Sequence, residues 1–320
     1  MKSSNSISLS RNMSRFAIYF VLIAMIVFFS VVADGFASPD NYLNILRQVA
    51  VNGISAVGMT FVILTGGIDI SVGSIIGVAG IGTATMMIHG VSPAYAVLLM
   101  LVCGLLIGIF NAFFIYEIKL PPMIATLATM SILRGVSYII SGGLPVYGFP
   151  RSFTVLGQGY LGPIPVPVLI LAVCFAAGYF VLEKTAVGRY VYGIGSNIEA
   201  SRLSGINVRK VMYMVYGICG VLSALAGIVL LSRVNSGQPK AGETYEMDII
   251  TATVLGGISS NGGEGKIVNV IVGLLLMGVL LNGMIMMNIP DYYQRVVKGF
   301  VLLLAISYDK MSQIKANKKA

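Results

Sequence analysis

The sequence predicts an all-α polytopic membrane protein with about ten transmembrane helices. Of its 320 residues, 57% are hydrophobic and only 10% are charged, whereas about 25% of the residues in ordinary soluble domains are charged. The apolar residues fall into runs of roughly twenty, the length that one helical crossing of a bilayer requires. A soluble domain of this size would lack the polar residues needed to cover so much apolar surface.

The apolar runs place the predicted helices in chain order. Residues 1–15 are Ser-rich and basic, and we interpret them as a cytoplasmic tail. The next run could be a signal peptide, but it exceeds the usual core of about 7–15 residues, so a retained first span is predicted. The predicted spans are 16–33, 45–65, 72–89, 94–116, 121–140, 165–182, 211–231, 247–260, 267–287 and 293–308.

A polar loop, residues 183–210, divides the predicted transmembrane domain 16–308. Basic loops of membrane proteins tend to lie in the cytoplasm. An even number of spans puts the loop, the N-terminal tail and the basic C-terminal tail 309–320 on that side. The loop carries two acids, Glu183 and Glu199, and five cations, Lys184, Arg189, Arg202, Arg209 and Lys210.

The net charge of +9 does not indicate nucleic-acid binding. Much of the excess lies in the two tails and the polar loop, where it can set topology and contact anionic lipid headgroups. No basic face with interleaved aromatic residues accompanies it. We therefore expect membrane lipids, and no nucleic acid, among the partners.

No pattern of catalytic or metal-binding residues is found in the sequence. The single histidine, His89, cannot assemble a metal site, and the three cysteines lie inside apolar runs. The segment 261–266 resembles a phosphate-binding loop, but it lacks the first glycine and the final Ser or Thr of that pattern. We expect no catalytic residues, no metal and no cofactor in this chain, so the protein is not predicted to be an enzyme.

Two apolar runs are broken by glycines and short polar residues, at 62–74 and 254–266. In lipid, unwound backbone is tolerated only where protein shields it or where it lines a watery cavity, and broken helices are typical of transport pathways. Asp69 could be a helix cap, a partner for a cation or a substrate contact. The residues of interest in these breaks are Gly66, Gly67, Asp69, Ser71, Gly256 and Gly257.

Four segments of the chain resemble the ribose-type permeases of bacterial ABC sugar importers, which are related to branched-chain amino-acid permeases. The resemblance extends over about residues 40–308. It implies the ten-span, type II fold of the cobalamin importer, in the bacterial inner membrane with both termini cytoplasmic. It also implies a second permease subunit, a periplasmic sugar-binding protein and an ATPase subunit that binds ATP and Mg. The segments are 65–74, 121–143, 185–208 and 254–273.

The resemblance gives the polar loop a role. Importer permeases carry a cytoplasmic Glu-Ala-Ala motif, followed by glycine, on a short coupling helix that binds the ATPase. Here the motif reads Glu199-Ala200-Ser201 and the glycine is Gly205, which can end a helix because it tolerates positive φ. Arg202 and Arg209 would offer charge at the rim of this contact.

For the substrate pathway, the sequence suggests Asn52, Thr60 and Thr65 along one broken span. Neutral hydrogen-bonding groups suit an uncharged sugar, although Ser and Thr in membrane helices also bond to their own backbone. The same machinery could instead carry a branched-chain amino acid or another small polar metabolite. A secondary transporter driven by an ion gradient and a membrane-embedded enzyme are the alternatives from other classes.

Overall fold

The computed structural model describes the backbone of residues 3–317 and the side chains of residues 18–311. The charged side chains of the predicted tail 1–15, and those of the C-terminal tail beyond residue 311, lie outside these ranges. The described backbone is almost wholly helical, with a 3-10 turn at Arg151–Thr154 and the strands β1 (Tyr160–Leu161) and β2 (Ile164–Pro165). Within residues 3–317 the α-helices are α1 (Ser3–Val32), α2 (Pro39–Leu64), α3 (Val72–Ile88), α4 (Pro93–Tyr116), α5 (Pro122–Ser141), α6 (Val155–Gln158), α7 (Val166–Lys184), α8 (Ala186–Ser196), α9 (Ile198–Leu203), α10 (Val208–Val234), α11 (Tyr245–Leu255), α12 (Ile267–Met286) and α13 (Asp291–Asn317).

The predicted spans all overlap helices of the structure. Among the described residues, six helices are long and apolar enough to cross a membrane, namely α2, α4, α5, α7, α10 and α12. The described apolar part of α1, Ile18–Val32, and the whole of α3 are apolar too, but they are shorter than these six helices. The prediction of an all-helical membrane protein is therefore confirmed.

Helix α11 is shorter than the predicted span 247–260 because its C-terminal end is built from glycines. Gly256 follows the last helical residue, and a Cβ added there would lie 2.5 Å from the Cα of Val270. Gly257 has φ +81°, a left-handed conformation that only glycine adopts without strain. The chain therefore leaves the helix at this point and continues as an irregular loop to α12.

Helix α10 lies at the centre of the bundle and packs against α2, α3 and α4. Its closest neighbour is α4, where Gly104 lies so near Gly220 that an added Cβ would be 2.5 Å from the carbonyl oxygen. Gly108 makes a similar approach to the backbone at Tyr216. Small residues allow membrane helices to pack at such short range.

The helices differ strongly in how much of their surface the chain itself covers. Of the 18 residues that form the most apolar stretch of α2, 83% are buried inside the chain, whereas in the corresponding stretch of α5 only 22% are buried. Helices α4 and α7 resemble α5 in this respect. The apolar outer faces of these three helices are the surfaces suited to lipid or to another membrane subunit.

The loops gather at two opposite ends of the bundle, which we call the basic end and the hairpin end. At the basic end, Gly263 N–H donates to the carbonyl of Leu64 at 2.9 Å. At the hairpin end, which carries β1 and β2, Val146 and Gly237 exchange two backbone hydrogen bonds of 2.8 and 2.9 Å. The loops of the basic end are 65–71, 117–121, 185–207 and 256–266.

The cations inside the predicted spans find partners in the part of the bundle towards the hairpin end. Arg134 donates to the carbonyl of Ala241 at 2.9 Å. Lys298 pairs with the buried carboxylate of Asp248 at 2.8 Å. Arg295 contacts both Asp291 and Glu243. These contacts fasten α5 and α13 to the segment around the start of α11.

Candidate functional site

The polar loop at the basic end folds into two short helices, α8 and α9, joined at Asn197. The Asn197 side chain accepts a hydrogen bond of 2.9 Å from Ala200 N–H, which caps the start of α9 in the usual way. Glu199 lies in the first turn and Arg202 in the last, an arrangement that the helix dipole favours. The loop therefore presents a defined helix rather than an irregular chain.

Gly205 makes the turn that ends α9. Its φ is +81°, and a Cβ added to it would meet no atom within 4 Å. Ile206 N–H donates to the carbonyl of Ser201 at 3.1 Å across this turn. Asn207 then caps α10 by accepting from Lys210 N–H at 3.0 Å.

The surface of α9 combines charge with two exposed large apolar side chains, Ile198 and Leu203. Glu199 and Arg202 are 71% exposed and lie 3.9 Å apart, and Ala200 is also exposed. Leu203, at the C-terminal end of the helix, is 88% exposed. Leu203 is not part of the sequence motif, although it is the most exposed large apolar residue of the described chain.

Of the six residues predicted for the ATPase contact, Ser201 and Arg209 contact neighbouring helices. Ser201 is buried beside Gly193, where an added Cβ would lie 3.2 Å from the serine hydroxyl. Arg209 pairs with Glu117 at the end of α4, and Tyr213 donates to the same carboxylate at 3.3 Å. Arg209 thus joins α10 to α4 while remaining at the rim of the loop.

Both broken-helix loops meet α8 at the basic end. A Cβ added to Gly66 would lie 3.4 Å from the carbonyl oxygen of Asn261, so the two loops touch. Gly195 lies close against Leu64 and Gly263, with no room for a side chain. Gly263, at φ +74°, contacts the backbone of Ser196 in turn. The end of α8 is therefore wedged directly between the two loops.

Side chains add further links around this contact. The Tyr192 hydroxyl donates to the carbonyl of Gly265 at 2.9 Å, and its burial, with Glu183 nearby, raises its pKa to about 12, so it stays protonated near neutral pH. Ser260 donates through its N–H and its hydroxyl to Asp309 of α13, at 2.9 and 2.7 Å. The loop 256–266 thereby bridges α8 and α13.

Asp69 stabilises the first broken-helix loop. Its carboxylate accepts from the N–H and the hydroxyl of Ser71, at 2.9 and 2.6 Å, where α3 begins. Asn111 donates to Ser71 at 2.9 Å, and Thr129 donates to Asn111 at 2.7 Å. Among the described residues no cation pairs with Asp69, and its carboxylate instead fixes the backbone and side chain of Ser71, the residue that precedes α3.

The residues suggested for the pathway are all buried, Asn52 and Thr60 within α2 and Thr65 directly after its last residue. Thr60 and Thr65 donate to the carbonyls of Ala56 and Val62, at 2.7 and 2.8 Å. The side-chain oxygen of Asn52 has no hydrogen-bond partner among the described residues. Both threonines therefore satisfy their hydroxyls with backbone carbonyls of α2, whereas the side-chain oxygen of Asn52 is left unpaired among the described residues.

The remaining broken-helix residues have backbone roles. Gly66 has φ +83°, as the reversal after α2 requires. Gly67 lies against the Tyr216 hydroxyl too closely for a side chain. Gly256 and Gly257 end α11 as described above. No group of side chains suited to a metal ion occurs among the described residues.

These features define a multi-pass membrane protein in which two glycine-rich loops meet the end of α8, next to the exposed helix α9. Residues 41–306 match the family described as branched-chain amino acid transport system, permease component, and the chain belongs to this family. The resemblance inferred from the four sequence segments is thus confirmed.

The chain is also similar to named proteins over most of its length. It is 44% identical over 291 residues to the ribose import permease protein of Bacillus subtilis strain 168, covering 90% of each chain. It is 42% identical over 296 residues to that of Escherichia coli K12, covering 91% of this chain and 92% of the relative. A xylose transport system permease protein of Haemophilus influenzae is 35% identical over 364 residues, covering 93% of this chain and 97% of the relative. No solved structure matches the chain.

Proposed function

We propose that the protein is the permease subunit of an ATP-driven importer for a ribose-like monosaccharide. The observation that carries this proposal is the similarity to ribose import permeases, at 41–44% identity over about 90% of both chains. The bundle supports it, because the helices provide a membrane domain and the chain shows no catalytic pattern. The ATP and Mg would be bound by a separate ATPase subunit.

We propose that α9 is the helix that binds the ATPase. It is short, capped at both ends and exposed, and it offers Leu203 flanked by Glu199 and Arg202. An exposed leucine gains free energy when a partner covers it, by about 1.5–3 kcal/mol if fully buried. The charged pair at the rim would favour one orientation of the partner over others.

The contacts of α8 suggest how movement of the ATPase would reach the membrane helices. Because Gly195 and Ser196 touch both broken-helix loops, displacement of α8 must displace the ends of α2 and α12. The bond of Ser260 to Asp309 extends the same contact to α13. We propose that these contacts transmit the nucleotide-driven movement.

The finer architecture belongs to this proposal as well. We propose that the chain crosses the inner membrane ten times in the type II importer fold, counting α1, α3, α11 and α13 as crossings beside the six apolar helices. The basic end and both termini then face the cytoplasm. The hairpin end faces the periplasm, where a binding protein delivers the sugar, and a second permease subunit completes the pathway.

The experiment is uptake of labelled ribose into proteoliposomes that contain the permease, its ATPase and its binding protein. We expect uptake that requires ATP. Uptake that continues without ATP and follows an ion gradient would contradict the proposal and favour a secondary transporter.

A branched-chain amino acid is the second candidate substrate, because the family description names it. Labelled leucine and xylose in the same proteoliposomes decide between the candidates. We expect ribose to be taken up and leucine not. Uptake of leucine alone would replace the sugar assignment while leaving the importer assignment intact.

A further inference from the structure

The chain between α10 and the first turn of α11, residues 235–248, dips from the hairpin end into the bundle, and we call it the re-entrant segment. A Cβ added to Gly242 would collide with the carbonyl oxygen of Gly73, in the first turn of α3. Since α3 starts from the loop 65–71 of the basic end, the segment reaches far below the hairpin end. Non-helical backbone at membrane depth is tolerated only where protein buries it or where it lines a watery cavity. The re-entrant segment is therefore a structural plug or a part of the pathway.

The ion pair of Lys298 and Asp248 fastens this segment to α13 near the middle of the membrane. Lys298 lies about 16 Å along α13 from Asp309, at roughly 1.5 Å per residue, and Asp309 bonds to the loop 256–266 at the basic end. The hydrocarbon core of a bilayer is about 30 Å thick. The Lys298 and Asp248 side chains are only 11% and 2% exposed. Ionisable residues at such depth are costly and usually serve a function.

The segment has two weaker links to α5 and α13. Arg295 contacts Glu243 at 3.4 Å, but the two side chains are 50% and 44% exposed, and exposed ion pairs contribute little. Arg295 also pairs with Asp291 of its own helix at 2.8 Å, so it would keep a partner if Glu243 moved away. Arg134 donates to the backbone carbonyl of Ala241, which carries no net charge. The position of the segment therefore depends mainly on the buried ion pair.

The described position of the segment is strained and incompletely hydrogen-bonded. Thr244, directly before α11, has φ +68° and makes no side-chain cap, and positive φ is a genuine outlier for a β-branched residue. One buried carboxylate oxygen of Glu246 and one of Asp248 have no hydrogen-bond partner among the described residues. Buried polar groups of proteins are rarely left unpaired. Strain of this kind is typical of switch regions, where a second arrangement competes with the first.

We propose that the re-entrant segment is a gate of the transport pathway at the hairpin end, and that Lys298 and Asp248 form its latch. This inference rests on the proposed function and adds a moving part to it. In the described position the latch is closed. A cleft of about 220 Å³ beside the segment, bordered by Gly80 of α3 and Gly227 of α10, leaves room for movement. In the open position the two charges separate, and each meets the water of the pathway.

The test uses Ser236→Cys as a reporter in the assembled transporter, with Cys103, Cys174 and Cys219 replaced by serine. The side-chain oxygen of Ser236 is buried in the described position, so a thiol there is shielded while the gate is closed. A membrane-impermeant thiol reagent is added from the hairpin end, to transporter without nucleotide and to transporter holding ATP on a hydrolysis-deficient ATPase subunit. We expect the labelling rate to differ severalfold between the two conditions. Ser152→Cys, an exposed serine at the same end, is the matched control and should label equally in both.

The latch is tested by the double variant Asp248→Asn with Lys298→Met, which removes both charges of the buried pair. Removing both avoids the uncompensated buried charge that a single substitution would leave, so the variant should fold and bind the ATPase. We expect fast labelling of Ser236→Cys with and without ATP, and less ribose uptake per ATP hydrolysed. Asp291→Asn, which removes an exposed partner of Arg295, is the control and should leave both properties unchanged.

Two results would overturn the inference. Equal labelling of Ser236→Cys in the nucleotide-free and ATP-bound transporter would show that the segment does not move during the cycle. A double variant that loses thermal stability but keeps the nucleotide dependence of labelling would show that the ion pair is only structural. ATP-driven ribose uptake by the parent transporter is measured in the same vesicles. Its absence would refute the proposed function and the gate with it, whereas normal uptake with constant labelling would refute the gate alone.

Discussion

At the residue scale, Gly205 determines the direction of the chain after α9. Its φ of +81° costs a residue with a Cβ about 1–2 kcal/mol, although the surrounding space is empty. The conformation of this residue, rather than its size, is therefore the constraint. Asparagine tolerates the left-handed region better than most residues.

We predict that Gly205→Arg abolishes ribose uptake while the protein still inserts in the membrane. The strain would displace the end of α9, and the added side chain would stand in the proposed ATPase contact. Gly205→Asn is the matched control and should retain most uptake. Membrane fractionation and uptake are measured for both, and normal uptake by Gly205→Arg would refute the role assigned to α9.

Several of these residues can be identified from the sequence, but their neighbours in space cannot. The pattern from Glu199 to Gly205 predicted a short helix with a glycine end, because capping and positive φ are local properties. It gave no reason to select Leu203, since an apolar residue in a helical segment usually packs inward. It also could not show that Gly195 and Gly263 touch, because residues so distant in sequence are brought together only by the fold.

At the element scale, the packing of α4 on α10 depends on glycines from both helices. An added Cβ at Gly220 would lie 3.0–3.1 Å from backbone atoms of Gly104 and Gly108, and closer still to the Gly104 carbonyl oxygen. Backbone cannot move aside as the end of a flexible side chain can. The two helices would have to separate.

We predict that Gly220→Ala lowers the thermal stability of the purified protein, by an amount typical of overpacking, about 1–3 kcal/mol. Gly299→Ala is the control, since an added Cβ in α13 meets nothing within 4 Å and alanine favours helix by about 1 kcal/mol. Thermal unfolding in detergent measures both. Equal stability of the two variants would contradict the packing described for α4 and α10.

The loop 256–266 offers a second element-scale prediction. Asp309 accepts two hydrogen bonds from Ser260, which fixes α13 to the loop that α8 contacts. We predict that Asp309→Ala leaves ATPase binding intact but reduces ribose uptake per ATP hydrolysed, because α13 no longer follows the loop. Ser131→Ala, in the exposed face of α5, is the control. An unchanged ratio in Asp309→Ala would remove this bond from the transmission route.

At the scale of the whole molecule, the apolar runs were sufficient to locate the helices but not to count the crossings. Helix α11 has only eleven residues, which is about half the length needed for a full crossing. Gly256 and Gly257 end it early, and the glycine-rich loop then continues to the basic end. Periodicity and hydropathy do not show how such a half-helix is completed by other parts of the bundle.

The proposed orientation predicts which end a membrane-impermeant thiol reagent reaches. We expect Ser152→Cys to be labelled in intact cells, after removal of the native cysteines. Glu199→Cys, also exposed but at the basic end, should be labelled only after the membrane is permeabilised. The reverse pattern would invert the topology and place α9 outside the cell.

The most direct test of the central proposal is capture of the ATPase subunit from detergent solution by the permease. We expect the wild-type permease to retain the ATPase and the variant Leu203→Glu to weaken binding by about tenfold or more, since about 1.4 kcal/mol corresponds to a factor of ten. The double variant Glu199→Arg with Gly205→Arg should lose binding, whereas Ser152→Arg at the hairpin end should keep it. If the wild-type protein captures no ATPase, or if the α9 variants capture it as well as wild type does, α9 is not the coupling helix and the importer mechanism built on it is wrong.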